Sequence, residues 1–211
     1  MKRCLFAIAA GFLVVAADAE EGGVESPSVE SPVAAEDPVV VAKAAAAEAF
    51  GKLSAVLSAE ISGKGVAAAI AVCSEKAPEI LAKISREKGV VMARASERNR
   101  NPGNHAGTED RKALADFLAS LEEGKPAAAQ VERQADGAAV VRLPIVINSE
   151  LCLKCHGMVD EIEAATLAAI RKEYPDDRAT GYQAGDLRGL WRISIPAGGA
   201  GEAEDRQGLA D

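Results

Sequence analysis

Aromatic side chains are scarce in this chain: four Phe, two Tyr and one Trp among 211 residues. Two of the four Phe fall within the first twelve positions, so the remainder is poorer still. Something other than aromatic rings must help to fill the core. Basic residues are also in deficit, with 24 Lys and Arg against 32 Asp and Glu and a formal charge of −8. A nucleic acid or an anionic membrane would need a basic face, so neither is expected as a partner. Four cysteines are too few for a disulfide scaffold, and 48% hydrophobic residues exclude a fully disordered or collagen-like chain. The length suits one domain with a real core, or at most two small ones.

Long apolar runs are missing too, save one at the N-terminus. Met1-Lys2-Arg3 precedes an apolar stretch from Cys4 to Ala17, followed by Ala17-Asp18-Ala19. A basic start, a short apolar run and an A-x-A site describe a secretory signal peptide over residues 1–19. The run is shorter than the roughly 20 residues a transmembrane helix needs. The expectation is an exported, periplasmic protein with no membrane insertion after cleavage. Its mature chain keeps three cysteines, Cys73, Cys152 and Cys155. An odd number in an oxidising compartment leaves one with another job.

Residues 20–37 hold six acidic and no basic residues, with Val-Glu-Ser-Pro written twice. Such a segment cannot bury enough apolar surface to order itself and reads as a disordered tether. Residues 198–211 read as a mobile acidic tail. The domain between them, 38–197, starts with Asp37-Pro38, an N-cap followed by Pro at the first helical position. That helix is expected to reach about Ser62, with Phe50, Leu53 and Leu57 lined up at i, i+3 and i+7. A second helical stretch after Gly65 puts Val66, Ile70 and Cys73 on one face, and Pro78 restarts or kinks it before Gly89. Val90–Ser96 reads as a strand, 97–105 as a polar loop and Thr108–Leu121 as a helix. Asp136-Gly137 marks a hairpin between 131–134 and 138–147. Asp160–Lys172 reads as helical, and Trp191, Ile193 and Ile195 alternate as a last strand. Helices flanking a few antiparallel strands make an α+β domain.

Cys152-Leu153-Lys154-Cys155-His156 is the C-x-x-C-H pattern of covalent c-type haem attachment. Two thiols at this spacing can each add across one haem vinyl group, while the adjacent imidazole sits beneath the iron. A large macrocycle would also replace the missing rings in the core. Other readings are a Cys₃His zinc site built from Cys73, Cys152, Cys155 and His156, and a dithiol redox pair. Candidates for the iron's other face are Met92, Met158, His105, Cys73, or nothing. Met158 is too near His156 in sequence to reach around a porphyrin. Met92 reads as core packing, and His105 as a solvated loop residue. Cys73, the odd thiol on an apolar helical face, is either the ligand or a small buried hydrophobe. Arg98, Arg100 and Arg188 are candidates to pair with haem propionates, or are solvated surface charges.

Several separated motifs then carry a resemblance. They are Ala71-Val72-Cys73-Ser74, the Arg100–Asn104 loop, Cys152–Gly157, the stretch Tyr174–Tyr182 and Gly185–Trp191. Together, over residues 38–197, they resemble the exported single-haem c-type proteins with a PAS-like fold. The resemblance implies a central antiparallel sheet with flanking helices, one covalent haem c and a His/Cys axial pair. Carried over residue by residue, His156 is the proximal ligand and Cys73 the distal thiolate. Some relatives carry output domains, which this sequence lacks. The expectation is therefore electron transfer or redox sensing through a separate redox partner protein, with basic docking chemistry. A gas-sensing module for NO or CO is the alternative, and no enzymatic activity is expected.

Overall fold

The computed structural model describes residues 36–198. The expected signal peptide, nearly all of the tether and the tail beyond residue 198 lie outside the described residues. Helix α1 spans Pro38–Lys64, and its N-cap Asp37 accepts a hydrogen bond from the Val39 N–H at 2.8 Å. It ends at Gly65, whose φ of 88° carries the chain out of the helix. A short 3-10 turn (Val66–Ala68) leads into α2, Ala69–Glu87. Helix α2 runs through Pro78 without ending, so of the two outcomes expected there the restart does not occur. Pro78 lies on the exposed side, where the carbonyl that loses its partner can turn to water.

Strand β1 (Val91–Ala95), helix α3 (Thr108–Glu122) and the hairpin strands β2 (Gln130–Arg133) and β3 (Ala139–Val146) follow. The hairpin turns at Gly137, φ 90°, with the Asp136 carboxylate accepting from the Ala138 N–H. Two helices, α4 (Glu150–His156) and α5 (Ala164–Glu173), precede the last strand β4 (Leu187–Ile195). The helix expected over 160–172 thus begins later, after a turn at 159–161. The four strands form one antiparallel sheet in the order β1-β4-β3-β2. The α+β architecture follows directly.

Strand alternation sorts the two faces. Met92, Val141, Leu143, Trp191, Ile193 and Ile195 pack against α1 and α2. Helix α1 approaches closely because its inner face is small there: Ala42, Ala45 and Ala49 are fully buried. Each fully buried aliphatic such as Ile84, Val141 or Ile193 contributes roughly 1.5–3 kcal/mol. The other face meets α3 through Leu190, Leu114 and Phe117. On that face Asp110 of α3, 2% exposed, accepts from both Arg142 on β3 and Arg192 on β4, which are register partners.

On α1 the aligned positions Phe50, Leu53 and Leu57 and the fully buried positions are different sets. Its buried residues come from the first half of the helix, whereas Phe50 is half-exposed and Leu53 and Leu57 are only half-buried. These three do not pack into the sheet core. They wall a cavity beside it.

Candidate functional site

The cavity lies between the second half of α1, the start of α2, the β1–β4 edge of the sheet and α4. Its volume is about 200 Å³, more than ten times the roughly 10–15 Å³ that a single water needs. Leu53, Leu57 and Ile61, at i, i+4 and i+8, line one wall, and Trp191 of β4 another. Trp191 therefore serves both the sheet core and the cavity. A larger hollow, about 560 Å³, lies between α3 and residues 182–189. Neither Cys nor His lines it, so the smaller cavity is where the reactive side chains gather.

Sequence reading left 152–156 without a secondary structure, and the structure makes it a helix. On α4, Cys152, Cys155 and His156 stand at i, i+3 and i+4, one face of a helix. All three line the cavity, and Cys73 of α2 joins them. Cys73, Cys152 and Cys155 are free thiols. Burial pushes the Cys155 thiol up to about 11 and raises that of Cys73 as well. The Cys152 Sγ lies 3.2 Å from the Ser149 hydroxyl.

His156 is held in one state. Its Nδ1 lies 2.7 Å from the Ala179 carbonyl, which can only accept, so Nδ1 carries the proton and Nε2 keeps its lone pair. Burial, with the Arg188, Arg100 and Arg94 guanidiniums nearby, keeps its pKa well below the ordinary histidine value. The imidazole is neutral at pH 7, the form a metal needs. The Tyr182 ring meets it edge-on, with centroids 6.3 Å apart. The backbone locks the same place: Tyr182 N–H donates to the His156 carbonyl and Gly181 N–H to the Gly157 carbonyl. Gly157 ends α4, and a Cβ there would stand 2.6 Å from the Leu153 carbonyl oxygen. Only glycine fits without moving the histidine's helix.

The arginines divide by role. Arg100 lines the cavity, but its guanidinium is spent on protein groups: the Asp177 carboxylate at 2.9 Å and the carbonyls of Cys155 and Ala179. Its donation to the last turn of α4 also complements the helix dipole. Arg100 thus ties the motif helix to the 177–179 loop that orients His156. Replacing Arg100 by Ala is expected to cost about 1.5–3 kcal/mol. Chemical denaturation checks this, with Asp177→Ala in the same background adding little. Arg98 stacks on Tyr182, 4.1 Å from the ring centroid, and donates to the Thr180 and Gly181 carbonyls outside the cavity. Arg188 lines both this cavity and the larger hollow, lies 5.5 Å from the Tyr182 ring centroid, donates through one terminal nitrogen to Ser96 and the Arg98 carbonyl, and leaves its Nε buried without a partner.

Sequence reading missed Arg94. It lies on β1, lines the cavity, and its Nε is buried and unpartnered. The available signal was a lone charge in Val90–Ser96, two residues from Met92 and hence on the same, inward face. The remaining axial candidates fall elsewhere: Met92 is in the sheet core, Met158 and His105 are exposed, and none lines the cavity. Among the described residues no three His, Cys, Asp or Glu side chains cluster tightly enough to hold a metal ion. The Cys₃His zinc set is therefore not assembled. Two thiols on one helical face, a neutral imidazole beside them and a third thiol from another helix fit the group that C-x-x-C-H spacing predicts.

No curated protein matches this sequence. Among solved structures, a cyanobacterial heme-protein, Tll0287, is similar over 75% of this chain and 91% of its own, at 24% identity and a TM-score of 0.54. That similarity extends to the fold. The sequence profile of the Tll0287-like family matches residues 26–196. By that match, over most of its length, the chain belongs to the Tll0287-like family.

Proposed function

We propose that this protein is an exported, single-haem c-type protein that transfers electrons or senses redox state, without catalytic turnover. The convergence of Cys73, Cys152, Cys155 and a neutral His156 on one cavity carries the reading. Membership of a family named for a cyanobacterial heme-protein supports it. Pairing of the first strand with the last in one antiparallel sheet supports a PAS-like description. No described helix is long and apolar enough to cross a membrane, which suits a protein that leaves the cytoplasm and stays off the bilayer.

The bound haem would supply a one-electron iron couple whose potential the axial ligands set. Cys152 and Cys155 would tether it through thioethers. His156, fixed through Nδ1, would offer Nε2 to the iron. Cys73 would offer its sulfur as a thiolate, giving up its proton on binding. A thiolate favours the ferric state, so the potential is expected to lie below that of a His/Met protein. The wall of Leu53, Leu57, Ile61 and Trp191 would close the apolar edge from water. The acidic chain suits a partner protein with a basic docking face.

The test is the absorption spectrum of protein matured by export, oxidised and then reduced, with and without CO. A Soret band unaffected by CO supports redox work through a fixed Cys/His pair. A CO-shifted reduced band favours gas sensing, and a missing Soret band ends the haem reading. Cys73→Ser is expected to shift the oxidised spectrum and raise the potential; an unchanged spectrum removes Cys73 from the iron.

A further inference from the structure

We propose that Arg94 and Arg188, and not Arg100, are the charge partners of the cofactor's two carboxylates, an inference that rests on the haem reading above. The cavity is lined by three guanidiniums and no carboxylate. Arg100 has its counter-charge in Asp177, at 2.9 Å. Arg94 and Arg188 pair with no carboxylate among the described residues, and the Nε of each is buried without any partner. Both lie in a chain with an excess of eight negative charges, so carboxylates are not in short supply. Both residues are half-buried, and a cation whose Nε is sealed from water with neither a hydrogen-bond partner nor a counter-charge is costly for a fold. Two of them at one cavity call for an anion of charge two.

The sheet is built to present them. Arg94 reaches the cavity face by ordinary alternation, two residues from Met92. Arg188 reaches it by an irregularity: Ile145 pairs with Gly189 but Val146 pairs with Leu187, so Arg188 is the extra residue of a β-bulge. A bulge re-aims a side chain that alternation would send elsewhere. Haem carries two propionate carboxylates. With the ferric porphyrin's single positive charge offset by a Cys73 thiolate, two guanidiniums and two propionates bring the site to neutrality. An added electron leaves one net negative charge beside two fixed cations, so both arginines favour the reduced form.

Reduction potential reads this directly. Arg94→Met and Arg188→Met, each in the haem-loaded protein, are expected to lower the ferrous-to-ferric ratio at a fixed potential about tenfold, or about 59 mV for one electron. Arg94→Lys, which keeps the charge, is expected to stay near wild type. Thermal melts add a sign that packing alone would not produce. In haem-free full-length chain, made without export, the Met variants should melt higher than wild type because a buried charge is gone; in haem-loaded chain they should melt lower. Unchanged potentials, or equal destabilisation of both forms, would make the two arginines structural and overturn the proposal. An exported wild type without a Soret band would instead overturn the haem reading, while the haem-free melts would still tell whether the two cations are uncompensated.

Discussion

Alanine at both Cys152 and Cys155 is expected to abolish covalent haem attachment altogether. After export and maturation, the wild-type chain should keep its haem through a denaturing gel and stain for haem at the mass of the protein. The double variant should show none. The expectation rests on geometry as well as on the motif. The two sulfurs stand at i and i+3 on α4, on the face that lines the cavity, with His156 directly after them. Each single variant leaves one thiol able to form one thioether, so weaker staining is expected there. His156→Ala differs in kind: the tethering thiols remain, and the loss should appear in the spectrum of the attached group. Haem retained by the double variant on the gel would show that the pair is not the attachment point. Cys73, the only other cysteine among the described residues, would then be the thiol to test.

The second large effect is on stability and lies away from the cavity. Asp110 sits 2% exposed at the start of α3 and accepts from Arg142 and Arg192, register partners on β3 and β4. Arg142 also bonds Glu132 on β2 at 2.9 Å, so one carboxylate ties a helix to three strands through two guanidiniums. Asp110→Ala removes the shared acceptor and leaves Arg142, whose side chain is only 10% exposed, with Glu132 alone as its counter-charge. Losing the two charge-assisted hydrogen bonds that Asp110 accepts costs about 3–5 kcal/mol. For a domain of this size that corresponds to a fall of about 6–20 °C in melting temperature. Arg192→Ala should cost much less, since its side chain is 41% exposed and can be replaced by water. Equal effects of the two substitutions would mean that the carboxylate is not the hub of the network. Neither change touches the cavity, so the spectrum of the surviving folded protein should be unaltered.

The same physics gives opposite expectations at the two buried charge clusters. Around Asp110 the charges are paired, and taking one away exposes the cost of the others. Beside the cavity Arg94 and Arg188 have no carboxylate partner among the described residues, and taking one away relieves a cost until a dianion is bound. Arg100 belongs with the first kind, because Asp177 answers it.

Much of the fold was legible from local chemistry. Asp37-Pro38 started a helix because a carboxylate caps free N–H groups and proline suits the first turn. Asp136-Gly137 made a hairpin because glycine accepts a positive φ there. Trp191, Ile193 and Ile195 alternated into a buried strand. Pro78 left a restart or a kink open, and only the fold shows that α2 runs through it, with the proline on the exposed side. Phe50, Leu53 and Leu57 left a different question open. Their spacing announced an apolar face and could not say whether protein or cavity lay against it.

The site divides in the same way. Cys152, Cys155 and His156 are neighbours along the chain, so their chemistry was written in spacing alone, as was the odd count that singled out Cys73. The arrangement of Cys73 with them, by contrast, depends on α2 and α4 meeting across one cavity, a matter of long-range packing. So do the roles of the arginines. The sequence presented a set of equivalent cations in polar surroundings and concealed Arg94 inside a strand. Tertiary structure decided that Arg100 is answered by a carboxylate 77 positions away, that a register shift in the sheet falls at Arg188, and that the Arg94 Nε is buried with no partner among the described residues. Covalent spacing is local and survives in the linear chain. Charge compensation is set by distance and burial, and exists only once the chain has folded.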